Sequence, residues 1–217
     1  MNKSQFAEEL LKLKIKQNAK SVQKSAIDAR KIKTEDQEYV ETLQRIIDNF
    51  FAGKAEITFE EVSKLKSKMT EDLWNYEFFT YNPDESNTIS LKDWMQSIVV
   101  CMTGGKIERY LKRIKKVSKH FDENERVTLK QYLAFQYFLQ NVDILKNKVV
   151  QYRYMDYEMF ETIIQAFNKD NDYCRSNRTK VSDVQAKALF LLLDVDGSGE
   201  LEQEEVMEVL IDKQLLG

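Results

Sequence analysis

Four times along this chain a helical pattern breaks into a short polar loop. Each time one aliphatic residue stands directly before the helix resumes: Ile57, Ile89, Val127 and Leu201. A lone apolar side chain in a polar loop gains by leaving water, but so short a segment cannot bury it unaided. Pairing solves the problem: two such loops lie side by side, exchange a short two-strand bridge and share one core. The composition agrees with helices joined in this way. One proline and six glycines in 217 residues are too few for the turns of an all-β or loop-rich scaffold. Hydrophobic residues at 42% and charged residues at 32% suffice for a core and exclude a disordered polyelectrolyte.

Other residue counts exclude whole classes of function. Cys101 and Cys174 cannot make a disulfide framework, and a reducing compartment is the easier reading. Cys101 reads as a buried small apolar residue, and Cys174 as a residue of a polar loop. The lone His120 excludes sites that need two histidines, the common zinc sites among them. No apolar run approaches the roughly 18 residues of a membrane span. The net charge of −3 conceals an asymmetry. Residues 1–33 hold nine Lys or Arg against three acids, and the remaining residues hold 24 against 33. A basic arm on an acidic body suggests a charged partner surface or an import signal.

Capping residues mark the helix starts. Thr34 with Gln37, Thr58 with Glu61, and Ser182 with Gln185 have capping-box spacing. The arm places Phe6, Leu10 and Leu13 on one helical face. A further helix is expected over roughly 156–167, and the polar stretch 168–180 reads as a mobile loop. Gly104-Gly105 is the best internal boundary, because a double glycine stops one helix and frees the next. The expected organisation is a basic arm at 1–33, a degenerate pair at 34–104, and a pair at 105–217 with one competent loop. In that arrangement Val127 bridges to Leu201.

One of the four loops carries chemistry. Asp194-Val195-Asp196-Gly197-Ser198-Gly199-Glu200-Leu201-Glu202-Gln203-Glu204-Glu205 fits the twelve-residue loop that wraps a calcium ion. Calcium is a hard cation that takes six to eight oxygens. Asp194, Asp196 and Ser198 supply side-chain oxygens at positions one, three and five. Gly199 permits the sharp turn at six, and Glu200 offers its carbonyl at seven. Glu202 at nine acts through water, and Glu205 at twelve reaches back with both oxygens. Calcium is the expected cofactor, with Asp194, Asp196, Ser198, Glu200 and Glu205 as its ligands. The other loops lack this set. Aligned on Ile57, Lys54 falls at position five and only Glu61 survives. Aligned on Ile89, Asn82, Asp84, Ser86 and the short Asp93 leave room for weak binding only. Aligned on Val127, Gln131 stands at position twelve and cannot give a charged bidentate ligand.

Units of this spacing resemble EF-hands. Phe50-Phe51-x-Gly53-Lys54, Phe78-Phe79-x-Tyr81-Asn82-Pro83, Lys119-His120-Phe121 and Leu193-Asp194-x-Asp196-Gly197, in that order, resemble the C-terminal part of the mitochondrial calcium uptake (MICU) family. The likeness runs over residues 46–212. It implies an all-α fold of two paired EF-hand lobes, four helix–loop–helix units of which three are degenerate, behind the basic arm. It also implies that the five ligands belong to the family's last calcium-binding hand, and that the protein resides in the mitochondrial intermembrane space or on the inner membrane. The family typically carries two competent hands, and this sequence shows one.

Lys106, Arg109, Lys112, Arg113, Lys115, Lys116 and Lys119 line one helix. A solvated face is the plain reading, and a patch for an acidic protein or anionic lipid is the alternative. Tyr152, Tyr154, Met155, Tyr157, Met159 and Phe160 read mainly as core, with a partner groove as the alternative. The expectation is a non-enzymatic calcium-binding subunit with protein partners in a larger, mitochondrial assembly. It is peripheral to a membrane at most, without a transmembrane span and without nucleic acid. Two other readings stand beside it: a calcium-dependent regulator of mitochondrial calcium uptake, and a ciliary or axonemal EF-hand protein of the cytoplasm.

Overall fold

A computed structural model describes residues 56–100, 106–141, 153–202 and 204–206, with single positions at 48, 51, 53, 54, 147, 151 and 209. The expected arm at 1–33, the helix from Thr34, Cys101 and the Gly104-Gly105 boundary lie outside the described residues. The chain forms two compact units, 1–69 and 70–217. The structure is mostly helical. In the first unit Phe51 and Ile57 are buried. Thr58 and Glu61 close the expected capping box: Glu61 N–H donates to Thr58 Oγ1 at 3.2 Å, and Thr58 N–H donates to Glu61 Oε2 at 2.8 Å. Helix α1, Phe59–Thr80, starts there.

The second unit continues through β1 (Thr88–Ser90), α2 (Leu91–Val99), α3 (Lys106–Val117), β2 (Arg126–Thr128), α4 (Leu129–Gln140), β3 (Tyr154–Asp156), α5 (Tyr157–Asp170), α6 (Asp172–Asn177), α7 (Asp183–Leu193) and β4 (Glu200–Glu202). The strands form two antiparallel two-stranded bridges. Ile89 stands opposite Val127 in one, and Met155 stands opposite Leu201 in the other. All four side chains are buried, so loop pairing does bury the lone apolar residue of each loop. The partners differ from expectation. Val127 faces Ile89, not Leu201, because the partner of Leu201 comes from a further loop centred on Met155. Counting back in the sequence from Met155 as position eight puts Lys148, Val150 and Tyr152 at positions one, three and five. That loop offers no oxygen pattern, but Arg153 at position six keeps the left-handed backbone, with φ +68°.

The region 168–180 is not an open loop. Helix α5 runs to Asp170, and α6 follows with Asn171 as N-cap, its side chain accepting from Cys174 N–H at 3.2 Å. Asn168 holds the return of the chain: its Oδ1 accepts from Val181 N–H at 2.8 Å and its Nδ2 donates to the Val181 carbonyl at 2.9 Å. Cys174 is correspondingly buried, and its thiol pKa is raised by desolvation. The polar residues that suggested a loop are here helix caps and backbone partners.

Aromatic side chains fill the space between helices. Phe135 of α4 meets Trp94 of α2 edge-on at 4.9 Å and lies 6.2 Å from Phe138. Phe138 in turn meets Phe167 of α5 at 5.3 Å. Tyr137 stacks on Tyr173 at 4.7 Å, meets Trp74 edge-on, and donates its hydroxyl to Glu71 at 2.8 Å. One continuous core thus underlies both bridges. Phe135→Ala is expected to lower stability by about 3–5 kcal/mol through the cavity it leaves. Urea unfolding followed by circular dichroism measures it.

Candidate metal centre

Helix α7 delivers the loop. Its start is fixed by the expected capping box, in which Gln185 N–H donates to Ser182 Oγ and Ser182 N–H donates to Gln185 Oε1. Ala186, Leu189, Phe190 and Leu193 are buried, so the end of α7 is anchored in the core and presents Asp194 as its C-cap. Asp194 is only 4% exposed. Its Oδ1 accepts from Gly197 N–H at 2.9 Å and its Oδ2 from Gly199 N–H at 3.3 Å. Both glycines have positive φ, +78° and +83°, which lets the chain curl tightly enough to point those N–H groups inward.

Asp194, Asp196 and Glu205 each bring a carboxylate oxygen within 4.8 Å of the others. A single ion with oxygen bonds of about 2.3–2.6 Å can span such a set. The donors are hard and anionic, which suits calcium and not a soft metal. Hydrogen bonds from Ser198, its backbone N–H foremost, hold the Asp196 carboxyl below its ordinary pKa. Glu205 is folded onto the loop: Oε1 accepts from Val195 N–H at 2.7 Å and Oε2 from Glu202 N–H at 3.2 Å. Ser198 and Glu200 lie between, bonded to each other. The Ser198 hydroxyl donates to the Glu200 carbonyl at 3.0 Å and accepts from Glu200 N–H at 3.3 Å. To ligate an ion with this carbonyl and this hydroxyl, the hydroxyl proton must turn away.

Arg113 belongs with this site. The sequence places it among the lysines of α3, but it is half-buried. It donates from Nε to the Leu191 carbonyl at 2.9 Å and from NH1 to the Val195 carbonyl at 2.7 Å. The guanidinium therefore fastens the last turn of α7 and the second loop residue together. A cation is also favoured at a helix C-terminus. Nothing in the local sequence distinguishes Arg113 from Lys112. Helical phase is the available signal, since Tyr110, Ile114 and Val117 face the core and Arg113 borders that stripe. Lys112, Lys115, Lys116 and Lys119 remain exposed.

In the other loops the corresponding oxygens are engaged differently. Asp122 Oδ1 accepts from Asn124 N–H and from the Asn124 side chain, and Gln131 forms a capping box with Thr128. Asp93 accepts from the Ser90 hydroxyl at 2.6 Å. Asp84 is held far below the ordinary carboxylate range, to about 2, first by the Thr88 hydroxyl and backbone and then by Arg126.

Two outcomes follow from these contacts. Arg113→Met removes two charge-assisted hydrogen bonds and is expected to lower stability by about 2 kcal/mol, read as the urea midpoint in a calcium-free buffer. A depressed carboxyl pKa stabilises the fold above its unfolded value, and that contribution is lost as pH falls through the folded value. For Asp84 the window runs from 3.8 down to about 2. Asp84→Asn should therefore be less stable than the parent at pH 5, and the gap should close as pH approaches 2.

No protein-family model matches the chain. Calcium uptake protein 1, mitochondrial, from Bos taurus is 20% identical over 174 residues, 79% of this chain and 35% of that protein. Its Homo sapiens counterpart is 19% identical over the same span. The chain thus spans about a third of the length of these curated relatives. Among solved structures, the crystal structure of EFHA2 in the apo state matches with a TM-score of 0.62 at 20% identity, over 99% of this chain and 64% of that one. In sequence this chain is similar to the mitochondrial calcium uptake proteins, and in fold to EFHA2.

Proposed function

We propose that this chain is a non-enzymatic EF-hand protein that binds one calcium ion in loop 194–205 and serves as a structural or calcium-modulated subunit of a larger mitochondrial assembly. The observation that carries the reading is the convergence of Asp194, Asp196 and Glu205 at loop positions one, three and twelve. In this reading Ser198 adds its hydroxyl and Glu200 its carbonyl. The units pair as loop 82–93 with 120–131 and loop 148–159 with 194–205, behind a basic arm at 1–33. The similarity to calcium uptake protein 1 supports mitochondrial residence and protein partners. It also favours a second reading, in which the same site regulates mitochondrial calcium uptake.

The geometry bears on how calcium would act. Glu205 already closes on the loop through Val195, so little travel is needed to complete the coordination. Binding then stiffens the pair of loops 148–159 and 194–205 and stabilises the folded form by RT ln(1 + [L]/Kd), about 2.7 kcal/mol at a hundredfold excess over Kd. A sensor must go further and open apolar surface.

Isothermal titration with calcium is expected to show one site per chain, weakened at least tenfold by Glu205→Gln. An unchanged isotherm in the variant would refute the ligand assignment. Dye binding to apolar surface, run in parallel, separates the two roles. A regulator gains calcium-dependent fluorescence that Glu205→Gln loses, whereas a structural subunit gains only thermal stability.

A further inference from the structure

Loop 82–93 has the outline of a calcium loop without the metal's full donor set. Its third and seventh positions are Asp84 and Thr88, which correspond to Asp196 and Glu200 in loop 194–205. In a calcium loop these positions give a side-chain oxygen and a backbone carbonyl to the ion. Here both oxygens hold a side chain. Arg126, from the paired strand β2, donates NH2 to Asp84 Oδ2 at 2.7 Å and to the Thr88 carbonyl at 3.1 Å, and Nε to Thr88 Oγ1 at 3.1 Å. The bridge register makes this reach possible, since Arg126 lies opposite Ser90 and Thr128 opposite Thr88. The other Asp84 oxygen accepts from Ser86 N–H and Thr88 N–H, at 3.0 and 2.9 Å. The loop keeps its left-handed sixth residue, Asn87 at φ +54°.

A second loop shows the same substitution with a different residue. In loop 50–61, Lys54 at position five places its ammonium 2.6 Å from Glu61 Oε1. Glu61 stands at position twelve, where the bidentate acid of a calcium loop stands.

We propose that Arg126 is the resident cation of loop 82–93. It is an internal replacement for a divalent ion, and it keeps loops 82–93 and 120–131 paired at any calcium concentration. A guanidinium suits the task because its planar fork can serve a carboxylate and neighbouring oxygens together. Being part of the chain, it cannot be lost from the protein as a bound ion can, although the pair with Asp84 stays 38% and 39% exposed. Its charge also offsets that of Asp84. The calcium response of the second unit is thereby confined to loop 194–205.

The test combines a double-mutant cycle with a calcium titration followed by amide NMR. Arg126→Met, Asp84→Asn and the double variant are melted without calcium. The double variant should melt well above the temperature given by adding the two single shifts, and Arg126→Lys should retain part of the stability. In the parent, millimolar calcium should move the signals of loop 194–205 and leave those of Asp84 to Thr88 in place. In Arg126→Met the Asp84 to Thr88 signals should move as well, and adding Asp84→Asn should abolish that movement. Additive melting shifts would overturn the proposal. So would an identical calcium response of Asp84 to Thr88 in the parent and in Arg126→Met. A silent loop 194–205 would count against calcium binding there and leave this contrast readable.

Discussion

The backbone pairing of loops governs this molecule. A loop that must curl around a cation cannot also be a hydrophobic core, so it gives up one residue at position eight to the core and shares the bridge with a neighbour. Ile89 with Val127, and Met155 with Leu201, are the two results. The bridge fixes the register of two loops at once, and with it the side chains that can reach across. That register is why Arg126 meets Asp84 and Thr88. It is also why a change of pairing partner, a small matter for hydrophobic burial, decides which loop borrows a cation from which.

The exit helix imposes a second constraint. Position nine of each loop is the N-cap of the following helix, and position twelve is its third residue. The pair can therefore form a capping box whether or not metal is present. Thr58 with Glu61, and Thr128 with Gln131, form the reciprocal bonds. Ser90 and Asp93 meet through the serine hydroxyl, and Glu205 accepts from Glu202 N–H. A glutamate at position twelve serves both duties. A glutamine keeps the cap and loses the charge, so a loop that no longer binds metal can still start its helix. This is how the loops at 50–61, 82–93 and 120–131 can depart so far from calcium chemistry and still start their helices.

The same reasoning explains what could be read from residues alone. Capping spacing and the lone apolar residue made the Ile57, Ile89, Val127 and Leu201 loops visible, and alternate acids marked Asp194, Asp196 and Glu205. The Met155 loop escaped for a physical reason. Its apolar residue is an unbranched methionine within a tyrosine-rich stretch, and its cap is one-sided, with Asp156 accepting from Met159 N–H and Met159 unable to reciprocate. Sequence alone therefore pairs Leu201 with Val127, whereas Met155 stands opposite it. The stretch 168–180 misled for the opposite reason. Polar density there combines exposed side chains with Asn168 and Asn171, which bond to backbone and hold the chain in order. Arg113 looks like surface charge in sequence, because the carbonyls it serves are distant along the chain.

Arg113 and Arg126 divide the work around the candidate metal centre. Arg126 bonds across the loop pair of α2, α3 and α4, where it is proposed to act without calcium. Arg113, on the α3 that this pair holds, reaches over to the end of α7 and the start of loop 194–205. The entry side of that loop is thus tied to α3. The exit side is tied through Glu205, whose carboxylate bonds Val195 and Glu202, and through Leu201 and Val206, which are buried in the same core. With both sides of the loop anchored, the proposed binding of an ion favours stiffening of the loop pair over displacement of a helix.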